Sequence, residues 1–287
     1  MSKKLQFLYK KDWPKQLLEI PHPPKQLWIK GLLPPKSNKL LCVVGSRKLT
    51  NYGKEICRDL IKGLSGYPVS IVSGLALGVD ALAHQIALEN NLHCIALPGS
   101  GVDNIHPKTN SQLAKKILEN GGCLISELNP NEKPNKSTFP KRNRVMAGLS
   151  HAVLIIEATQ KSGTMITAKL ATDYNRDVLT VPGSIYSPNT EGPHYLIKNG
   201  ATPITSPNDL LEALGFDIIN KNLFSFESIK DISKEELNLL KILNEPKERE
   251  YLYIELGIPV NKVNELISLL EIKGLIKEIS GLIMLAK

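Results

Sequence analysis

The chain has 287 residues, 42% of them hydrophobic and 22% charged, with a formal net charge of +8. At about 150 residues per domain that length fits two domains with a sizeable core, and the composition excludes wholesale disorder. No apolar run approaches the roughly 18 residues of a membrane helix, and the basic N-terminus lacks a signal peptide's apolar stretch. Cys42, Cys57, Cys94 and Cys123 form no C-x-x-C pair. The expectation is a cytoplasmic protein with buried thiols, no metal site and no membrane partner.

Residues 1–38 hold eight lysines and two acids, six prolines and both tryptophans. They read as a Pro-rich segment packed on the core. From residue 39 to 216, short apolar runs alternate with amphipathic stretches. Expected strands are Leu40–Val44, Val69–Val72, Cys94–Leu97, Cys123–Ile125, Ala152–Ile156, Val178–Val181 and Ala201–Ile204. Expected helices are Gly53–Leu64, Asp80–Asn90, Ser111–Glu119, Arg142–Leu149, Thr164–Tyr174 and Asn208–Leu214. Apolar strands with little alternation, separated by helices, imply a parallel sheet covered on both faces. The fold class is therefore α/β, a Rossmann-like, doubly wound and mostly parallel sheet. Residues 217–232 read as a linker. Residues 233–287 give three helices and a small hairpin, which suggests a winged helix.

The turns after the strands carry the chemistry, because ligands of such sheets bind beyond the strands' carboxyl ends. Gly45-Ser46-Arg47 follows the first strand of this domain. It is neither G-x-G-x-x-G nor a Walker loop, so no nucleotide cofactor is expected. Glycine lets the chain bend there, the next helix N-terminus offers amides to an anion, and Arg47 can fork onto phosphate. Ser73-Gly74 and Gly78 form a second anion-compatible loop, with Asp80 expected to cap its helix and His84 expected to pack. Bases cluster at Arg47-Lys48, at Lys133, Lys136, Lys141, Arg142 and Arg144, and at Lys161. Phe139 stands among them, the composition of a single-strand site in which charge follows the backbone and a ring stacks a base. Ser162-Gly163-Thr164 opens another helix.

These motifs, taken in order, resemble the DNA-processing protein A family (DprA, also called Smf). The resemblance rests on the GSR turn, SGLALGVDALAH, Ile125–Glu127, the Phe139–Arg144 segment, LIIEA with SGT-x-IT, Val181–Ser184 and EGPHYLIKNGA. His106-Pro107 stands where the family usually has Tyr-Pro, and Val79 where isoleucine is common. The resemblance implies a cytoplasmic, homodimeric, non-enzymatic protein. Such a protein binds single-stranded DNA and helps load the recombinase RecA during natural transformation and DNA processing. It implies that Gly45, Ser46 and Arg47 hold a phosphate, and that Lys136 and Phe139 contact backbone and base. Arg142 and Asn143 would shape the pocket, Gly74, Leu75 and Ala76 would close it, and Ser162 and Gly163 would stand opposite.

Two other readings compete. A nucleotide phosphoribohydrolase on a related fold needs a carboxylate near the sugar, yet Met165, Ile166 and Thr167 follow the Ser162 turn and Glu157 is the one nearby acid. A duplex-reading C-terminal module would neutralise phosphates, yet residues 218–287 hold ten bases and eleven acids.

Overall fold

Alternate side chains of Lys39–Val44 (β3) show why this chain builds a sheet covered on both faces. Leu41 and Val43 pack into one hydrophobic layer, while Leu40, Cys42 and Val44 pack into another, and all five are buried. Successive residues of a strand point to opposite faces, so a strand apolar at every position needs a partner layer on each side.

The computed structural model describes residues 5–216, 232–243, 246–279 and 281–285. The chain divides into two compact units, Met1–Asp217 and Ile218–Lys287. In the first unit, the elements before β3 are Leu5–Leu8 (β1), Lys15–Glu19 (α1) and Leu27–Gly31 (β2). After β3 come Asn51–Gly63 (α2), Val69–Ser73 (β4), Val79–Glu89 (α3), His93–Ala96 (β5), Ser111–Glu119 (α4) and Cys123–Ser126 (β6). The second half holds Thr138–Leu149 (α5), Ala152–Ile155 (β7), Gly163–Asp173 (α6), Asp177–Thr180 (β8), Glu191–Lys198 (α7), Thr202–Pro203 (β9) and Pro207–Ala213 (α8).

The strands lie in the order β1-β2-β6-β5-β4-β3-β7-β8-β9. All ladders from β6 to β9 are parallel, the α/β doubly wound class expected. The chain steps outward from β3 to β6 with α2, α3 and α4 in one layer. It then returns through α5, in the other layer, to β7 on the far side of β3. Loops leaving β3 and β7 therefore diverge to opposite faces, and a crevice opens between them.

The N-terminal segment does more than pack on the core. β2 pairs antiparallel with β6 and β1 with β2, extending the sheet past what would otherwise be an edge. Covering an edge removes its unpaired amides and carbonyls from solvent. Leu17 of α1 and the following Ile20 pack against Gly148 of α5, where a Cβ would come within 3.1 Å of both side chains. The tryptophans follow suit: Trp13 is buried and donates to the Leu8 carbonyl at 2.8 Å, and Trp28 meets Phe7 edge-on.

The second unit contains helices Lys234–Ile242, Arg249–Leu256 and Val260–Ile272. Lys247–Glu248 (β10), Ile276–Ile279 (β11) and Leu282–Leu285 (β12) form a three-stranded antiparallel sheet with β12 in the middle. The expected hairpin thus gains a third strand. Leu239, Leu252, Ile267, Leu270 and Ile283 form the centre of its own core. Apart from Ile232, the expected linker 217–232 lies outside the described residues.

Candidate nucleic-acid interface

Between the carboxyl ends of β3 and β7 lies a cavity of about 450 Å³. Helices that follow the strands of a parallel sheet begin at this edge, and a helix start carries unpaired amides and positive partial charge. What occupies each start decides where an anion can bind.

Three of them are filled from within. The Glu157 carboxylate sits on the start of α2, accepting from the Thr50 amide at 3.0 Å and from the Thr50 hydroxyl. A Cβ on Gly53 would lie 2.5 Å from that carboxyl carbon, so glycine there is what lets the acid approach. At α3 the Val79 amide donates to the Ser46 carbonyl at 3.1 Å. This close approach requires Gly78, which has a left-handed backbone (φ +84°) and a Cβ position that would overlap Ser46. At α5 the Asn135 side-chain oxygen accepts from the amides of Ser137 and Thr138 at 2.9 and 3.2 Å. Only α6 is left open among these four. Ser162 caps it without a side-chain bond, and its buried hydroxyl finds no partner. The amides of Gly163 and Thr164 meet no acceptor among the described residues.

The geometry corrects several expectations. The amide of Ser46 is not free for a phosphate, because it donates to the Glu157 carbonyl at 2.6 Å. The Ser46 hydroxyl donates to the Lys48 carbonyl and accepts from the Lys48 amide, at 2.9 and 3.0 Å. What the Gly45–Arg47 turn offers a ligand is the Arg47 side chain, exposed and without a hydrogen-bond partner among the described residues. Asp80 does not cap its own helix. Its carboxylate reaches back to the amides of Gly74 and Ala76 at 3.1 and 3.4 Å and lies 3.8 Å from the Arg142 guanidinium. Burial pushes the Asp80 carboxyl up, against the opposing pull of Arg142, those two amides and Arg47. Burial likewise lowers Arg142, which Asp80 opposes.

Arg142 also donates to the Leu97 carbonyl at 2.9 Å, so its charge is spent on bracing α5 against the strand ends. Arg144 leaves the cluster altogether, bound to Glu127 at 2.5 Å and to the His22 carbonyl. Lys48, Lys136 and Lys141 stay exposed.

The cavity brings together Gly45, Ser46, Arg47, Ala76, Phe139, Arg142, Asn143, Ser162 and Gly163. Gly74 and Leu75 do not line it. Both are buried; a Cβ on Gly74 would overlap the Arg142 guanidinium, and the Leu75 side chain joins the core. Lys136 sits outside, on the turn before α5. Asn143 donates to the Gly163 carbonyl at 3.4 Å, tying α5 to the start of α6. Phe139 is half-buried and rests on Gly99, where a Cβ would come within 2.5 Å of the ring, with His106 at its edge. Sequence reasoning did not single out Thr159 or Thr167 as lining residues, and no local signal marks them. Thr164, already visible in the SGT turn, donates to the Gly45 carbonyl at 3.1 Å. Among the described residues, no helix is long and apolar enough to cross a membrane.

The model of the DNA recombination-mediator protein A family matches residues 4–215. The chain is 42% identical over 206 residues to Protein Smf of Escherichia coli, covering 72% of this chain and 55% of that protein. It is 40% identical over 204 residues to DNA processing protein DprA of Streptococcus pneumoniae, covering 71% and 72%. The chain thus spans about half the length of the E. coli relative. A crystal structure of the S. pneumoniae protein superposes with a TM-score of 0.69 at 38% identity, covering 75% of this chain and 76% of that one. DNA processing protein A of Helicobacter pylori, solved to show its single-stranded DNA binding mode, superposes with a TM-score of 0.65 at 29% identity, covering 74% and 95%.

Proposed function

The chain belongs to the DNA recombination-mediator protein A family, and from that premise we propose that it binds single-stranded DNA in the cavity between β3, α5 and α6 and passes that strand to the recombinase RecA. The observation that carries the reading is the combination at one crevice of an open helix start at α6, the exposed Arg47 and the propped ring of Phe139. The helix start and Arg47 suit a phosphate, and the ring suits a base. The H. pylori relative's single-stranded DNA binding mode supports the same ligand.

On this reading the protein acts in the cytoplasm, as a homodimer, in DNA processing and the uptake of DNA by transformation. It works by binding, not by catalysis. Asp80 is the one acid lining the cavity, and it faces Arg142. Glu157 is 1% exposed and holds the start of α2, so it has no access to a sugar. The second unit's order of helix, strand, two helices and two strands supports a winged helix, and its net acidic sequence suits a protein contact better than a duplex.

The test is RecA filament assembly on single-stranded DNA at limiting RecA, beside a nucleotide-hydrolysis assay on the same preparation. The wild-type chain accelerates assembly, the double variant Arg47→Ala/Phe139→Ala does not, and neither hydrolyses nucleotides. Hydrolysis that disappears in the double variant would instead make the cavity an enzyme's active site.

A further inference from the structure

Beside the cavity, the segment between β8 and α7 presents two large apolar side chains to solvent: Ile185 is 77% exposed and Tyr186 90%. Burial of such side chains is the ordinary outcome of folding, and here the local structure works against it. The segment is pinned on both sides of the exposed pair. Tyr52 donates its hydroxyl to the Pro182 carbonyl at 2.7 Å, and His194 meets the Gly183 carbonyl at 3.1 Å. Ser184 accepts at its carbonyl from the amide of Ser187 at 3.1 Å and from the Thr190 hydroxyl. The Tyr186 amide itself donates to the Ser184 hydroxyl at 3.3 Å. Held this way, the ring stands clear of the protein in a fixed loop.

The loop is also joined to the wall of the cavity. Asn189 donates through its side chain to the Lys48 carbonyl at 3.1 Å, and its own carbonyl accepts from the Ala158 amide at 2.7 Å, just beyond β7. Lys48 follows Arg47, and both are exposed. An exposed ring on a loop whose Asn189 is bonded to Lys48, the neighbour of the cavity-lining Arg47, joins a stacking surface to the exposed cations at the edge of the cavity.

We propose that the loop bearing Tyr186 is a second base-stacking platform, on which single-stranded DNA leaving the cavity past Arg47 and Lys48 lays one further base. The proposal rests on the single-strand reading of the cavity. It predicts that affinity grows with strand length through this loop as well as through charge.

The test uses the full chain with the variants Tyr186→Ala, Tyr186→Trp and Phe139→Ala. Each is titrated with oligothymidylates of about four and about sixteen nucleotides, lengths that bracket single-strand sites of this kind. Tyr186→Ala should bind the longer strand roughly 5- to 150-fold more weakly, the equivalent of one stacked base, with the salt slope and the short-strand affinity unchanged. Tyr186→Trp should restore the longer strand, and Phe139→Ala should weaken both lengths. Equal binding of the longer strand by wild type and Tyr186→Ala would overturn the platform while leaving the cavity reading intact. A Tyr186→Ala chain that changes its oligomeric state without losing affinity for the longer strand would also overturn it, making the loop a contact between copies. If the wild type binds neither length, the cavity reading fails first and the platform with it.

Discussion

Arg47 and Phe139 face the same cavity with different physics, and single substitutions separate them. Arg47→Ala removes a cation and no packing, so the slope of log K against log salt should flatten by about 0.7, one single-strand phosphate contact. Phe139→Ala removes an uncharged ring. It should leave the slope unchanged while weakening binding by roughly 1–3 kcal/mol. Because the ring is only half-buried, its loss should cost far less stability than the roughly 3–5 kcal/mol of a core phenylalanine. Salt titrations beside thermal melts check both; a normal affinity in a chain that melts far earlier would reassign Phe139 to packing. His84, on α3, makes a separate prediction. It is fully buried, and burial holds its imidazole down at about 4. The unfolded chain binds that proton near pH 6.5 and the folded chain does not until about pH 4, so the stability is complete above pH 6.5 and is lost as pH falls. By pH 5 the loss should reach about 2 kcal/mol. Denaturant titrations of wild type and His84→Gln at pH 7.5 and 5 should converge by that amount; parallel pH dependences would contradict it.

At the scale of elements, the strands were legible because buried parallel strands carry unbroken apolar runs, as Leu40–Val44 of β3 and all of β7 do. The start of α5 was not. The helix was expected from Arg142, yet it begins at Thr138 and carries Pro140 in its first turn. In the first turn an amide has no intrahelical acceptor, so proline loses nothing there. Phe139 therefore stands on the helix and not on a loop before it, and that rigidity suits a stacking ring. The filling of α2's start was equally hidden, since Glu157 lies 107 residues from Thr50 and pairing at that distance leaves no local pattern. The candidate lining of Gly45–Arg47, Phe139, Arg142, Asn143 and Ser162-Gly163 was readable from glycine turns and clustered bases. Gly74 and Leu75 fall outside that lining because a loop after a strand can be buried, as this one is. Glu157→Gln tests the account of α2: one of its acceptor oxygens becomes a donor facing Thr50. Stability should fall by about 1–3 kcal/mol, while the salt slope of DNA binding stays fixed because Glu157 does not line the cavity. A flattened slope would show that the acid tunes the binding surface directly.

At the scale of the molecule, the cavity draws every lining residue from the first unit. A chain ending at Asp217 should keep most of its single-strand affinity, read by anisotropy on a folded truncation. A collapse would move the site to the second unit, whose sequence is net acidic. The central claim is that this crevice recognises an unpaired strand through phosphate charge and an exposed base face, which a duplex does not present. Its most direct test is the affinity of the full chain for single-stranded and duplex DNA of one sequence, measured across a salt series. If about four phosphates are engaged, the single strand should bind more tightly at every salt concentration, with a slope of log K near −3. Equal affinity for the duplex, or a flat response to salt, would contradict the account.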